Sequence, residues 1–367
     1  MTHTDMVAFE SALDELRREL KAASGPEDLR HFRRISISVR VLGLIGLGVA
    51  STGVNPFSIL ALALASFVRW AIVAHHVSHK GYDELGVGIP GLQSKHFARG
   101  WRRVLDWMDW MEPAAWHYEH DVLHHYRLGE EADPDLAERN ASFLRNSPLP
   151  MWLRPLVVVL GSLIWKPLYY APSTLCKLLN KEEGRDDLTV FSAETWIPWK
   201  PRFRRLLLRS YLPYISWRFI LLPALFLPLG PSAAQAVLVN LLLAELLSNF
   251  WSFWVIVPNH TGADLYRFEE RAANRGEHYL RQVIGSVDYH CGNPIGDLLQ
   301  GWLNYQIEHH LFPSLNLRRL QQSHPRVKEI CARYGVPFIQ ESMAKRMVRT
   351  MWVLIGKESN RRVDVGL

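Results

Sequence analysis

The sequence predicts an all-α integral membrane protein: four transmembrane helices, arranged as two hairpins, carry a cytosolic helical cap that bears three histidine boxes. Three observations point there. Apolar runs of span length occur in pairs joined by minimal turns, basic residues crowd the open ends of each pair, and the histidine clusters lie beside those same ends. The 367 residues are 48% hydrophobic and include 14 tryptophans, but apolar runs alternate with charged blocks, a pattern that argues against a soluble globule.

Taken in order, residues 5–23 place Met6, Val7, Phe9, Leu13, Leu16 and Leu20 at near-helical spacing among charged residues, with Pro26 following. This amphipathic helix either lies on the membrane surface or packs on the rest of the protein. Residues 1–34 therefore read as a cytosolic or interfacial N-terminal segment. They are charged throughout and lack the apolar core of a signal peptide.

The membrane domain is expected over 35–338. Its first hairpin comprises spans 35–53 and 56–74, each 19 residues long, with Val54 and Asn55 as the turn. About 20 apolar residues cross the hydrocarbon core. Arg40 and Arg69 lie near the ends opposite that turn, where long side chains reach back to the interface. Spans 211–229 and 233–257 form the second hairpin around Gly230-Pro231-Ser232. Basic blocks precede both pairs, Arg30 to Arg34 and Lys200 to Arg205, so the positive-inside rule puts both turns outside and both termini on the cytoplasmic side.

Segment 151–171 is apolar but is interrupted by Pro155, Lys166 and Pro167, which makes it interfacial or re-entrant. Glu245 and Asn249 share a face inside the fourth span, there to bind a partner helix or to line a pocket. Residues 339–367 form a polar tail. The net charge of +6 suits an anionic membrane face, and with no Arg/aromatic recognition module no nucleic-acid partner is expected. Cys176, Cys291 and Cys331 are far apart, which argues against both a disulfide framework and a thiolate metal site.

His75 and His79 are four apart just after the second span, and His120 and His124 repeat that spacing with His125 alongside. Gln306, His309 and His310 supply a third cluster. Imidazoles three or four apart stack on one helical face and bind first-row transition metals, so iron is the expected metal, with zinc or copper behind it. Seven imidazoles exceed the needs of one four- to six-coordinate ion. A pair of metal ions follows.

The HxxxH, HxxxHH and QxxHH series, with the hydrophobic hairpins in this order, resembles the membrane fatty acid desaturases and related hydroxylases. The block Asn304-Tyr305-Gln306-Ile307-Glu308-His309-His310-Leu311-Phe312-Pro313 looks like the third box of acyl-lipid and front-end desaturases. The resemblance implies a non-haem di-iron centre that uses O2 to remove two hydrogens from adjacent methylenes of an acyl-lipid or acyl-CoA drawn from the membrane lipid. Carried over as catalytic residues and metal ligands are His75, His79, His120, His124, His125, His309 and His310. His260, in Pro258-Asn259-His260, matches a further ligand after the fourth span.

Gln306 stands where many relatives have histidine, and is expected to ligate through its carbonyl oxygen or to hold a neighbouring ligand by a hydrogen bond. Asp133 and Asp135 serve as a capped turn or as carboxylates that orient an imidazole. His76 and His117 are expected to support the ligands or to be structural, and His290 is open. His3, His31, His96, His278 and His324 are expected to be solvated. No haem, flavin or iron–sulfur motif occurs in the chain, so its electrons are expected from an external donor, a ferredoxin or a b-type cytochrome with its reductase. A hydroxylase or ketolase of the same superfamily is the nearest alternative. A metal transporter would set its histidines along a pore within the spans.

Overall fold

A computed structural model describes residues 3–363. Helix α1 (His3–Ala22) buries Phe9, Leu13, Leu16 and Leu20 against the C-terminal helices, so of its two readings packing on the protein is the one observed. Helix α2 (Pro26–Ala50) starts earlier than the span expected at 35, because Pro26 stands at its first position and the Asp28 side chain accepts from the Gly25 N–H at 2.9 Å, well before the apolar run.

After the turn, α3 (Pro56–Ser78) runs antiparallel to α2, with its Asn55 cap accepting from the Ser58 N–H at 2.8 Å. The two helices approach closely through small residues: a Cβ on Gly46 would meet that of Ala61 at 2.8 Å, and one on Gly43 that of Ala65 at 3.0 Å. A short helix over 113–127, α4, follows and carries the second histidine cluster. The segment expected to be interfacial breaks into α5 (Arg154–Ser162) and a turn of π-helix, Lys166–Tyr170, that continues into α6 (Ala171–Glu183).

The second hairpin is α7 (Pro201–Leu229) and α8 (Pro231–His260), both longer than their expected apolar cores. Gly230 joins them at φ 109°, a conformation that side chains disfavour. Among the described residues three helices, α3, α7 and α8, are long and apolar enough to cross a membrane, and α2 falls short because its first half is charged. Only 11% of the apolar window of α7 is buried within the protein, so this helix presents its greasy surface outward. Asn240 of α8 stitches the hairpins together: its side-chain oxygen accepts from the Asn55 N–H at 3.1 Å, and its amide donates to the Gly53 carbonyl at 3.0 Å.

The cap is completed by α9 (Arg275–Ile284), α10 (Gln306–Leu311), α11 (Leu317–Arg333) and α12 (Met343–Leu354). Among the described residues, regular β-structure amounts to a parallel pair of two-residue strands, β1 (Tyr266–Arg267) and β2 (Arg361–Arg362), and two isolated bridges. These strands, together with buried Arg346 on Asp264, tie down the stretch expected to trail as a polar tail. Its burial follows from an apolar helical face, Val353 and Leu354, that the charge content of the segment conceals.

Candidate metal centre

Each histidine cluster is placed by a helix end. The last turn of α3 presents His75 and His79, α4 presents His120, His124 and His125, and α10 presents His309 and His310. His75, His79, His120, His125 and His309 bring one ligand atom each to within 4.8 Å of one another. His124, His260 and His310 form a second such group. The two adjoin, with the His125 and His310 rings stacked at 4.3 Å.

The division between groups departs from simple i, i+4 stacking. His117–His124 is wound as π-helix, whose contacts run to i+5, so the His120 ring lies nearer to that of His125, at 4.9 Å, than to that of His124, at 5.4 Å. Neighbours on a helix diverge by about 100°. The dipeptides His124-His125 and His309-His310 therefore each supply one ring to each group.

Four of these rings are oriented through Nδ1, which turns Nε2 toward the centre. His124 Nδ1 lies 2.9 Å from Asp133 Oδ1, and His310 Nδ1 lies 2.8 Å from Gln282 Oε1. His75 and His260 are held by the Ala71 and Gly285 carbonyls at 3.2 and 3.1 Å. His79 Nε2 lies 3.2 Å from Asp121, which also binds His117.

The ring nitrogens aimed inward lack ordinary partners. His75 Nε2 and His120 Nε2 face each other at 2.9 Å, and both nitrogens of His125 and His309, as well as His310 Nε2, are buried without a hydrogen bond. Buried polar atoms are rarely left so. Burial and the surrounding imidazoles push the proton affinities of His79, His120, His125, His309 and His310 well down, so these rings stay neutral with lone pairs free. Neutral, nitrogen-rich and dry, the donor set fits transition-metal ions.

Gln306 sits at the rim of the second group. Its Oε1 accepts from Asn259 Nδ2 at 3.0 Å while its Nε2 lies 2.9 Å from His260 Nε2, so as placed it steadies a neighbouring ring. His76 is buried beside His75 and His309 with both nitrogens unpartnered, yet belongs to neither group. His290 and His96 are exposed, and the side chain of His3 lies outside the described residues.

His324, expected to be solvated, is instead enclosed by Asp288 at 3.0 Å and Glu308 at 3.1 Å; His31 and His278 are half-buried. The apolar stripe Leu320, Val327 and Ile330 of α11 puts position 324 beside the buried face, a signal present in the sequence. Gln282 and Asp121 were missed for want of any local pattern. Of its two readings, Glu245 takes the first and binds a partner helix: it accepts from Tyr214 OH of α7 at 2.6 Å, as well as from Trp110 Nε1 at 2.8 Å and Asn249 Nδ2 at 3.0 Å.

A cavity of about 580 Å³ opens at His75, His120, His124 and His260 and continues between α5 and α8. Beyond the imidazoles its walls are mostly apolar, Val158, Trp165, Phe253 and Leu354 among them, with Asp135, Asn140 and Gln306 as polar points, so it suits a hydrocarbon chain.

Comparison with known proteins agrees with this geometry. The "Fatty acid desaturase" family profile matches residues 53–342. The chain is 25% identical to an NADPH-dependent stearoyl-CoA 9-desaturase of Mycobacterium tuberculosis, across 98% of this chain and 81% of that one. An acyl-lipid (8-3)-desaturase of Mortierella alpina is 23% identical over 61% of this chain and 49% of its own length. For an acyl-lipid (9-3)-desaturase of Physcomitrium patens the figures are 28%, 43% and 29%.

Proposed function

That the chain belongs to the fatty acid desaturase family, and is an oxidoreductase, is the premise from which we propose a multi-pass membrane enzyme that introduces a C=C bond into a lipid- or CoA-linked acyl chain. One observation carries this reading: eight imidazoles in two adjoining groups stand at the mouth of an apolar cavity. The reaction balances as loss of two hydrogens from adjacent methylenes, with O2, two electrons and two protons giving two waters.

His75, His79, His120, His125 and His309 would hold one iron and His124, His260 and His310 the other, with Gln306 steadying His260. When bound, the two irons supply the oxidising power that an unactivated C–H bond requires. Asp133, Gln282 and the Ala71 and Gly285 carbonyls fix the ring orientations, so the ligand shell is formed before substrate arrives. The walls of the cavity exclude water and hold the acyl chain extended past the histidines.

We read α2 as the fourth span, because Ile37, Val41, Leu44 and Ile45 turn outward on it. The basic ends then place the cap and both termini in the cytoplasm. Domain limits follow: a cytosolic segment 1–34, a membrane domain 35–338, and a C-terminal stretch 339–367 docked on it. The electrons come from a separate ferredoxin or b-type cytochrome with its reductase. The NADPH dependence of the mycobacterial relative suggests NADPH as their source.

The test is lipid profiling of a host with and without the gene, with double bonds located by mass spectrometry. A product two hydrogens lighter supports desaturation, whereas one oxygen heavier assigns the chain to hydroxylation.

A further inference from the structure

On the opposite side of α3 from the histidines lies a second cavity, of about 340 Å³. Arg69 and Val73 line it, while Trp70, Ala71 and His75 line the first, so one helix separates the two. Three guanidinium groups border this second cavity: Arg40 of α2, Arg69 of α3 and Arg218 of α7.

Their charges are poorly answered from within the protein. Arg40 and Arg69 both donate to a single acceptor, the Leu105 carbonyl, each at 3.2 Å, and among the described residues neither comes within ion-pair distance of a carboxylate. Arg218 has its Nε and one Nη buried without a hydrogen bond. Its nearest carboxylate, Glu245 at 3.6 Å, is already occupied by Trp110, Tyr214 and Asn249. Like charges gathered at a membrane interface call for a counter-anion.

The remaining walls say what kind of anion. Asp109 on the wall is already engaged by Lys166 at 3.2 Å, Leu44, Leu47, Leu62 and Leu222 are apolar, and Leu44 is 69% exposed on the outward face of α2, so the cavity opens toward lipid. Planar guanidinium forks match phosphate oxygens, and leucines match methylenes. We propose that this pocket binds the phosphate head group of an anionic membrane lipid, with Arg40, Arg69 and Arg218 as its donors and the leucines of α2, α3 and α7 around the top of its tail. The site is distinct from the acyl cavity and does not depend on the reaction proposed above. Because α3 carries both Arg69 and His75, a bound lipid steadies the helix end that presents the first histidine box.

The experiment uses the full chain in bilayer discs of phosphatidylcholine, with or without a minor fraction of phosphatidylglycerol, and reads retained lipid by native mass spectrometry and the unfolding temperature. Selective retention of phosphatidylglycerol, with a higher unfolding temperature, is expected. The double variant Arg40→Gln/Arg69→Gln should lose that retention about tenfold, the worth of a charge-assisted hydrogen bond or two, whereas Arg99→Gln, at an exposed arginine away from the pocket, should keep it. If the double variant does not fold, the wild-type titration decides alone. Equal retention of phosphatidylcholine overturns the site, and protection by inorganic phosphate as strong as that by the lipid overturns its assignment to a lipid.

Discussion

Asp133 accepts from the imidazole Nδ1 of His124 at 2.9 Å, and its two oxygens are themselves held by the Gly129 and Asp135 backbone N–H groups, each at 2.9 Å. Three donors thus lock a carboxylate that locks a ring. Replacing Asp133 with Ala should lower metal content and turnover by about 10- to 100-fold, the usual effect of losing a group that orients a metal ligand. Iron per protein and product per cell measure it. Wild-type values for both would refute the orienting role.

His125 and His309 each bury both ring nitrogens without partners, and His290 is exposed. His125→Ala or His309→Ala should reduce product by about a hundredfold or more while the protein still inserts. His290→Ala should leave product at the wild-type level. Equal effects from all three would detach the imidazole groups from the chemistry.

Val158 and Leu354 wall the apolar cavity. Val158→Trp should shift the product profile toward shorter acyl chains, because added volume in a packed slot excludes methylenes. Chromatography of fatty acid methyl esters reads this directly. An unchanged chain-length profile at normal expression would show that substrate lies elsewhere.

His324 sets a pH dependence of stability. Burial opposes its charge, but pairing with Asp288 and Glu308 outweighs this and pushes its pKa up to about 10. An unfolded histidine titrates near 6.5. A raised folded-state value means that the stabilisation is complete below about pH 6.5 and is lost progressively as pH rises toward 10. The unfolding temperature of the wild type should therefore fall more steeply over that window than that of His324→Gln, the two converging at its upper end. Parallel curves would contradict the pairing.

Glu245 gathers three donors inside α8. Glu245→Ala leaves each without its acceptor, at about 1–3 kcal/mol per orphaned group, and should lower the unfolding temperature markedly. Glu245→Gln, which keeps an acceptor oxygen, should cost less. A thermal shift no larger for Ala than for Gln would show that the network contributes little.

The histidine boxes were legible because their information is local: spacings of four and five and the His-His pairs stand within single helix turns. What the boxes do with one another was less so. The π-winding over His117–His124 leaves no mark in composition, so spacing alone joins His124 to His120, whereas the ring of His125 lies nearer, at 4.9 Å against 5.4 Å. Gln282 and the Asp288–Glu308–His324 triangle come together only through tertiary folding, from α9 and the segment after it, α10 and α11. Helix α2 was begun too late because apolarity marks where a helix meets lipid rather than where its backbone starts, and Pro26 and Asp28 set that start.

Adjacent histidines that serve opposite groups have a further consequence. The distance between the two ligand sets is fixed by the peptide bonds joining His124 to His125 and His309 to His310, not by side-chain adjustment. Inserting or deleting one residue beside either dipeptide would rotate ligands out of both sets at once, so evolution could retune the cavity around this centre far more freely than the centre itself.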